Sequence, residues 1–164
     1  MKDILFRGKT ETGRWAYGSL ILAGTYCCIL ESEKDVHPSD YPYLDPDLGF
    51  IDGKATPVIR ETVGRLIECP DYNRFVDEQY FEGDIVDVFP RHYRSIDPVT
   101  QVRPWYQAIL IDEHCLTEKG CGHKYTQDTV VVKVIGNIHD NPELIDKRYI
   151  DAFKHYHCLE SKEK

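Results

Sequence analysis

The stretch that most constrains the fold is residues 80–89, which read YFEGDIVDVF. An aromatic pair leads into Glu-Gly, and apolar residues then alternate with aspartates. Glycine beside polar residues is typical of a tight turn, and alternation is typical of a strand with one buried face. We therefore predict a turn that leads into a strand of a small β-barrel. The predicted core residues of this strand are Ile85, Val88 and Phe89, whereas Val86 and Asp87 are predicted to face elsewhere.

Other short apolar segments are separated by Gly, Pro, Asn and Asp, a pattern typical of strands joined by turns. Residues 4–31 predict a three-strand meander, in which Gly18 marks a bulge or the close approach of another backbone. Residues 129–138 (TVVVKVIGNI) predict the strongest strand. Near the C-terminus, apolar residues at three- and four-residue steps predict a helix. Before it, Asn141 is placed to cap a short helical turn that begins at Pro142.

These segments predict one mainly β domain over residues 1–164. Its parts are an N-terminal β-meander with an acidic loop at 1–57, an SH3-like β-barrel core at 58–145, and a short C-terminal helical extension at 146–164. A chain of 164 residues can bury roughly two-thirds of its unfolded surface, so it needs neither disulfides nor a metal to fold.

Charge is distributed unevenly along the chain. The net charge is −8, and residues 31–52 contain seven acidic side chains against one lysine. We interpret residues 32–57 as an ordered loop, which either packs over one end of the barrel or binds a partner. A chain this acidic repels phosphate backbones, so nucleic-acid binding is disfavoured.

The sequence predicts a cytoplasmic protein with no membrane partner. Its apolar runs are far shorter than the roughly 20 residues that span a bilayer. The N-terminus lacks the apolar region of a signal peptide. The six cysteines are scattered without the regular spacing of a disulfide framework, so we expect reduced thiols.

One loop contains residue types that bind zinc. It reads H-C-x5-C-x-H, and thiolates and imidazoles could close a tetrahedral site. The alternative is that these are ordinary loop histidines and buried or surface thiols, because the spacing contains no Cys-x2-Cys or His-x3-His step. The candidate metal ligands are His114, Cys115, Cys121 and His123. We expect no catalytic residues and no cofactor.

A second candidate site combines basic and aromatic residues at 91–106. Single-stranded nucleic acids bind where aromatic rings lie along a basic groove. The alternative is that Trp105 belongs to the core. The candidate binding residues are Arg91, Arg94, Arg103, Trp105 and Tyr106.

Three segments together resemble the YopX family of small phage and prophage proteins. They read FRGK…GRWAYGSLI within residues 4–21, VIRETVG…YFEGDIVDVF within 58–89, and VVVKVIGNIHDNPEL at 130–144. EGDIV alone occurs in many SH3-like barrels, whereas its combination with the valine-rich strand and GNIHDNPEL is more specific. The resemblance implies a mostly β fold with an SH3-like barrel and a phage or prophage origin. It carries over no catalytic residues.

The sequence also departs from the family. The family usually has a hairpin resembling TGLKDKNGKEI after the position of Gly64, whereas residues 65–75 here read RLIECPDYNRF. Asp71 and Asn73 keep turn chemistry there, so we expect the hairpin to persist. The family would also have a proline near Arg60.

We expect a non-enzymatic module, encoded by a phage or prophage and acting in the cytoplasm of a bacterial host. It would bind a host protein or assemble with itself as a homo-oligomer, since aromatic-rich strands and open sheet edges favour association. The first alternative is nucleic-acid binding through residues 91–106. The second, less favoured, is a metal-dependent hydrolase that uses the four His and Cys candidates.

Overall fold

The computed structural model describes residues 5–31, 55–67, 79–90, 103–112, 114–124 and 130–160, with side chains of the last helix up to residue 156. The strands in these ranges form two antiparallel sheets of six and five strands, and one short helix lies near the C-terminus. The predictions of a mainly β fold and of a C-terminal helix are therefore confirmed. Within the same ranges neither sheet closes into a barrel. Residues 32–54 of the predicted acidic loop at 32–57 lie outside the described residues.

The chain divides into two compact units, residues 1–66 and 67–164, whereas the sequence suggests a division after residue 57 within one domain. Five strands of the six-stranded sheet lie in the first unit, in the order β4-β3-β2-β1-β5. The predicted three-strand meander is therefore present. The strands are β1 (Phe6–Lys9), β2 (Trp15–Ala23), β3 (Tyr26–Glu31), β4 (Ala55–Pro57) and β5 (Gly64–Ile67). A 3-10 helix lies at Arg60–Thr62.

The first unit has a small core between this sheet and the segment that follows β4. Ala16, Cys27, Ile29 and Val58 are buried there. Gly18 makes the hairpin of β2 and β3 possible, because a Cβ atom at this position would lie 1.9 Å from the carbonyl oxygen of Leu30. The predicted close approach of a backbone at Gly18 is thus confirmed.

An ion pair closes the open end of the β2–β3 hairpin. The Arg14 guanidinium donates from Nη1 to Glu31 Oε2 at 3.0 Å and from Nη2 to Oε1 at 2.8 Å. The Thr56 hydroxyl on β4 also donates to Oε1. The hydrogen bonds from Arg14 and then Thr56 lower the pKa of the Glu31 carboxyl below its ordinary value of 4.5. The ionised form of Glu31 therefore favours the folded state.

We predict that the stabilisation provided by Glu31 depends on pH. Because its folded pKa is lowered, the stabilisation is present above pH 4.5 and is lost as the pH falls through the folded pKa. Urea unfolding of wild type and Glu31→Gln should differ at pH 6, and the difference should narrow as the pH falls below 4.5. A difference that stays constant to pH 3 would contradict this assignment.

The second unit contains the five-stranded sheet, in the order β10-β9-β8-β7-β11. A two-residue strand precedes it, and a 3-10 helix at Pro142–Leu144 leads to the C-terminal helix. The strands are β6 (Tyr80–Phe81), β7 (Asp84–Pro90), β8 (Tyr106–Ile111), β9 (His114–Thr117), β10 (Gly120–Lys124) and β11 (Val130–Asn137). The helix is α1 (Lys147–Glu160). None of the helices in the described part of the chain is long and apolar enough to cross a membrane.

The central strands of this sheet are buried on both faces, whereas the edge strand β10 is largely exposed. One face forms the Val88 cluster, whose members from the sheet are Val86, Val88, Ala108, Leu110, Cys115, Val130 and Val132. The other face forms the helix cluster, in which Ile85, Ile109, Ile111 and Leu116 pack with Ile138, Ile145 and Phe153. The prediction that Val86 faces away from the core is wrong, since its exposure is 0%. A central strand covered on both faces has no solvent side, so its apolar residues cannot be sorted by alternation.

The predicted turn before β7 is confirmed. Gly83 has φ +86°, a conformation that glycine adopts without steric cost. Its N–H donates to the Leu110 carbonyl at 2.9 Å, and its own carbonyl accepts from the Ile138 N–H at 3.0 Å. Asp84 Oδ2 accepts from the Phe81 N–H at 2.8 Å. These hydrogen bonds connect the turn to β8 and to the segment after β11, and the bond to Asp84 closes the turn itself.

We predict that Asp84→Ala destabilises the protein by about 2 kcal/mol, because it leaves the buried Phe81 N–H without this acceptor. Asp84 is only 1% exposed, so water cannot readily replace the carboxylate. Asp87→Ala is the matched control on the same strand. Asp87 is half-buried and accepts a single 3.3 Å hydrogen bond from Gln107, so its loss should cost less than about 1 kcal/mol. Equal losses in urea unfolding would contradict the role given to Asp84.

The GNIHDNPEL segment forms the connection between β11 and α1. Asn137 Oδ1 accepts from the backbone N–H groups of His139 and Asp140 at 2.9 and 3.0 Å. Asn141 and Pro142 occupy the N-cap and the start of the 3-10 helix as predicted, but the Asn141 side chain makes no capping hydrogen bond. The Asn141 Oδ1 instead accepts from the Asn137 N–H at 3.4 Å. These polar side chains are thus engaged in holding the turn.

Candidate functional site: an aromatic surface on the second unit

The four candidate zinc ligands lie on adjacent strands but on opposite faces of the sheet. His114 pairs with Ile111, and Cys121 pairs with Leu116, so both lie on the face of the helix cluster. Cys115 pairs with Leu110 on the face of the Val88 cluster, where it is completely buried. His123 lies against Tyr106, which packs on that same cluster.

A β-bulge separates Cys121 from His123. Cys121 pairs with Leu116 and Lys124 with His114, so Gly122 and His123 stand opposite a single residue of β9. In a regular strand Cys121 and His123 would share a face, because side chains alternate with a period of two. The extra residue moves His123 to the other face. Among the residues that the structure describes, no three His, Cys, Asp or Glu side chains are grouped as metal ligands.

We predict very different reactivities for the described thiols. Cys121 is exposed, whereas Cys115 is fully buried, and burial raises the pKa of the Cys27 thiol. Iodoacetamide should therefore modify Cys121 much faster than Cys115 or Cys27, as followed by mass spectrometry of the separate peptides. In 8 M urea, about the concentration that unfolds small domains, the three rates should converge. Equal rates in the native protein, or protection of Cys121 and Cys115 together by added zinc, would contradict this arrangement.

Three of the five candidates for nucleic-acid binding lie in the described residues. Arg103 is exposed just before β8, and Arg91 and Arg94 fall outside those residues. Trp105 is 57% exposed, so the alternative that it belongs to the core is wrong. Its backbone N–H donates to the Val88 carbonyl at 2.8 Å, which fixes the start of β8. Tyr106 is half-buried and packs against the Val88 cluster.

The structure brings the candidate metal ligand His123 next to Trp105 and Tyr106, two of the candidate nucleic-acid-binding residues. The His123 ring stacks on Tyr106, with ring centroids 5.7 Å apart and an interplanar angle of 24°. Trp105 lies 6.1 Å from His123, tilted by 39°. We call these three residues the Trp105 surface. His123 was predicted as a metal ligand and not as a neighbour of Trp105, because 18 residues separate them in sequence and no local pattern signals the bulge.

A hydrogen bond fixes two of these rings. The Tyr106 hydroxyl and His123 Nδ1 form a hydrogen bond. The tautomer of the imidazole determines which of the two atoms is the donor. Burial raises the pKa of Tyr106 to about 12, the neighbouring Cys115 thiol adds to this, and a hydrogen bond from the His123 backbone opposes it. The phenol is therefore protonated at neutral pH and available as the donor to His123.

A concave site also lies in the first unit. It is an open cavity of about 300 Å³ lined by Thr10, Glu11, Thr12, Thr56, Pro57, Val58 and Ile59. Among the lining residues that the structure describes, Glu11 is the one ionisable side chain.

Comparison of the chain with protein-family models, with curated proteins and with solved structures gave no match in any of the three. The resemblance to the YopX family therefore stays a prediction from the quoted segments.

Proposed function

We propose that this protein is a non-enzymatic interaction module, and that its second unit binds a partner protein through the Trp105 surface. The observation that carries the proposal is the exposed Trp105 ring beside the hydrogen-bonded pair of Tyr106 and His123. Exposed tryptophan is costly in water and is enriched among the residues that dominate binding energy at interfaces.

Two of the three rings of the Trp105 surface, Tyr106 and His123, are held before any partner arrives. Tyr106 is anchored in the Val88 cluster, and its hydrogen bond orients His123. Less side-chain entropy is then lost on binding, which increases affinity without adding contacts. The net charge of −8 favours a partner of opposite charge, since long-range attraction speeds encounter. We infer a host protein that presents an apolar or cationic side chain to Trp105.

The SH3-like arrangement and the family resemblance are part of the same proposal. In the second sheet, four consecutive strands form a meander and the fifth returns beside the first. This order suits a small sheet that curls toward a barrel. The segment that carries the resemblance, GNIHDNPEL, holds a turn through its polar side chains, which suits a module without catalysis. A phage or prophage origin and a bacterial cytoplasm are the corresponding biological setting.

We predict that Trp105→Ala weakens binding of the partner at least about 30-fold. A partner enriched by the wild-type protein from bacterial lysate should be purified, and its affinity measured for each variant. Loss of a central tryptophan at an interface typically reduces the binding free energy by at least about 2 kcal/mol, which raises the dissociation constant roughly 30-fold. Tyr156→Ala is the control, because Tyr156 is a partly exposed aromatic on α1 outside the Trp105 surface.

Tyr106→Phe separates orientation from contact in the same assay. It keeps the aromatic ring but removes the hydroxyl bonded to His123, so the affinity should fall less than in Trp105→Ala. The proposal fails if Trp105→Ala binds the purified partner as tightly as wild type does.

Nucleic-acid binding remains the second candidate, favoured by the same three rings and the neighbouring Arg103. Its signature would be binding of labelled single-stranded DNA or RNA that weakens steeply between about 50 and 200 mM salt. If Trp105→Ala and Arg103→Ala both lose that binding, the proposed partner would be a nucleic acid and not a protein.

A further inference from the structure

The β2–β3 hairpin of the first unit is uncharged over its whole length. Residues 15–30 read WAYGSLILAGTYCCIL and contain no Asp, Glu, Lys, Arg or His, although 29% of the chain is charged. The nearest charged residues on either side are Arg14 and Glu31, which pair with each other at 2.8 Å. The hairpin residues 15–30 therefore carry no charge of their own, and the charged groups beside them lie at the base, where Arg7 and Lys9 of β1 are 4.8 and 5.9 Å from the Trp15 ring.

Large apolar side chains of this hairpin are exposed. The exposed fractions are 48% for Tyr17, 54% for Leu22 and 75% for Tyr26. Tyr26 pairs with Ala23 and Leu22 pairs with Cys27, so successive pairs near the turn point to opposite faces. The end of the hairpin thus exposes apolar surface on both faces, which is rare on a soluble monomer unless the surface is used.

We propose that the β2–β3 hairpin binds the same hairpin of a second copy of this chain. A two-fold interface brings the same patch of both copies together. A charged residue in that patch would therefore lie near the same charged residue of the second copy. Two molecules of net charge −8 repel each other, and an uncharged apolar patch is where they can meet at the lowest electrostatic cost. A basic protein or a nucleic acid would instead be recognised by charges that the hairpin does not contain.

The size of the hairpin sets the strength of the association. Nine residues of β2 span about 30 Å, and two strands are about 10 Å wide, so each face covers on the order of 300 Å². A standard stable interface buries about 800 Å² on each partner. The hairpin alone is therefore smaller than a standard stable interface, and we expect a weak, reversible dimer. This inference does not depend on the Trp105 surface, which lies in the other unit.

The test is sedimentation equilibrium over a series of protein concentrations at low and high salt. The weight-average mass should rise with concentration from 19.1 kDa toward twice that value. Association should strengthen as salt increases, since salt screens the repulsion between the two acidic molecules. Tyr26→Lys should increase the dissociation constant at least tenfold. Ile59→Lys is the control, because Ile59 is a partly exposed apolar residue of the same unit outside the hairpin.

A second measurement needs no substitution. In NMR spectra, the amide signals of residues 20–28 should shift with protein concentration, whereas the Trp105 indole N–H should not. Trp105→Ala should dimerise like wild type, which separates this proposal from the proposed function. The proposal is overturned by a mass that stays at 19.1 kDa, by dimerisation that weakens with salt, or by a Tyr26→Lys protein that dimerises normally. It is also overturned if the protein stays monomeric and Tyr26 instead inserts into phosphatidylcholine vesicles.

Discussion

The second unit depends on the backbone of Gly83, which is bonded on both sides. Its N–H donates to Leu110 on β8, and its carbonyl accepts from Ile138 after β11. The strand that follows, β7, is therefore fixed between β8 and β11, the two strands with which it pairs. The Val88 carbonyl of β7 in turn accepts from the Trp105 N–H. A turn without reactive groups thus sets the position of the residues that we assign to binding.

Part of this fold follows from local sequence. Turn residues and β-branched runs locate the meander, the turn at Gly83 and the valine-rich β11, because each depends on neighbours along the chain. The burial of Val86 cannot be predicted from local sequence. It arises because β7 is covered by α1 on one face and by the Val88 cluster on the other. The side chain of Asn141 was misassigned for a similar reason, since its partner is a backbone N–H at the end of β11.

The candidate site shows where spacing stops being informative. The prediction of one ligand set treats H-C-x5-C-x-H as a loop, whereas residues 114–124 form two paired strands, in which the register decides which side chains share a face. The bulge opposite Cys115 adds one residue and moves His123 to the other face. The same bulge brings the imidazole onto Tyr106, which no pattern around residue 106 indicates. The bulge therefore places His123 beside Tyr106 and away from His114 and Cys121, whereas Cys115 lies on the opposite face from those two residues by strand alternation alone.

Charge, finally, distinguishes the two surfaces. The Trp105 surface follows Arg103 and includes His123, so its surroundings can respond to the charge of a partner. The hairpin of β2 and β3 contains no such group over sixteen residues, and at its base Arg14 pairs with Glu31. In an acidic chain, a surface that recognises a foreign partner gains from charge, whereas a surface that meets its own copy gains from the absence of charge. The two surfaces are thus suited to different partners and should respond to salt in opposite directions.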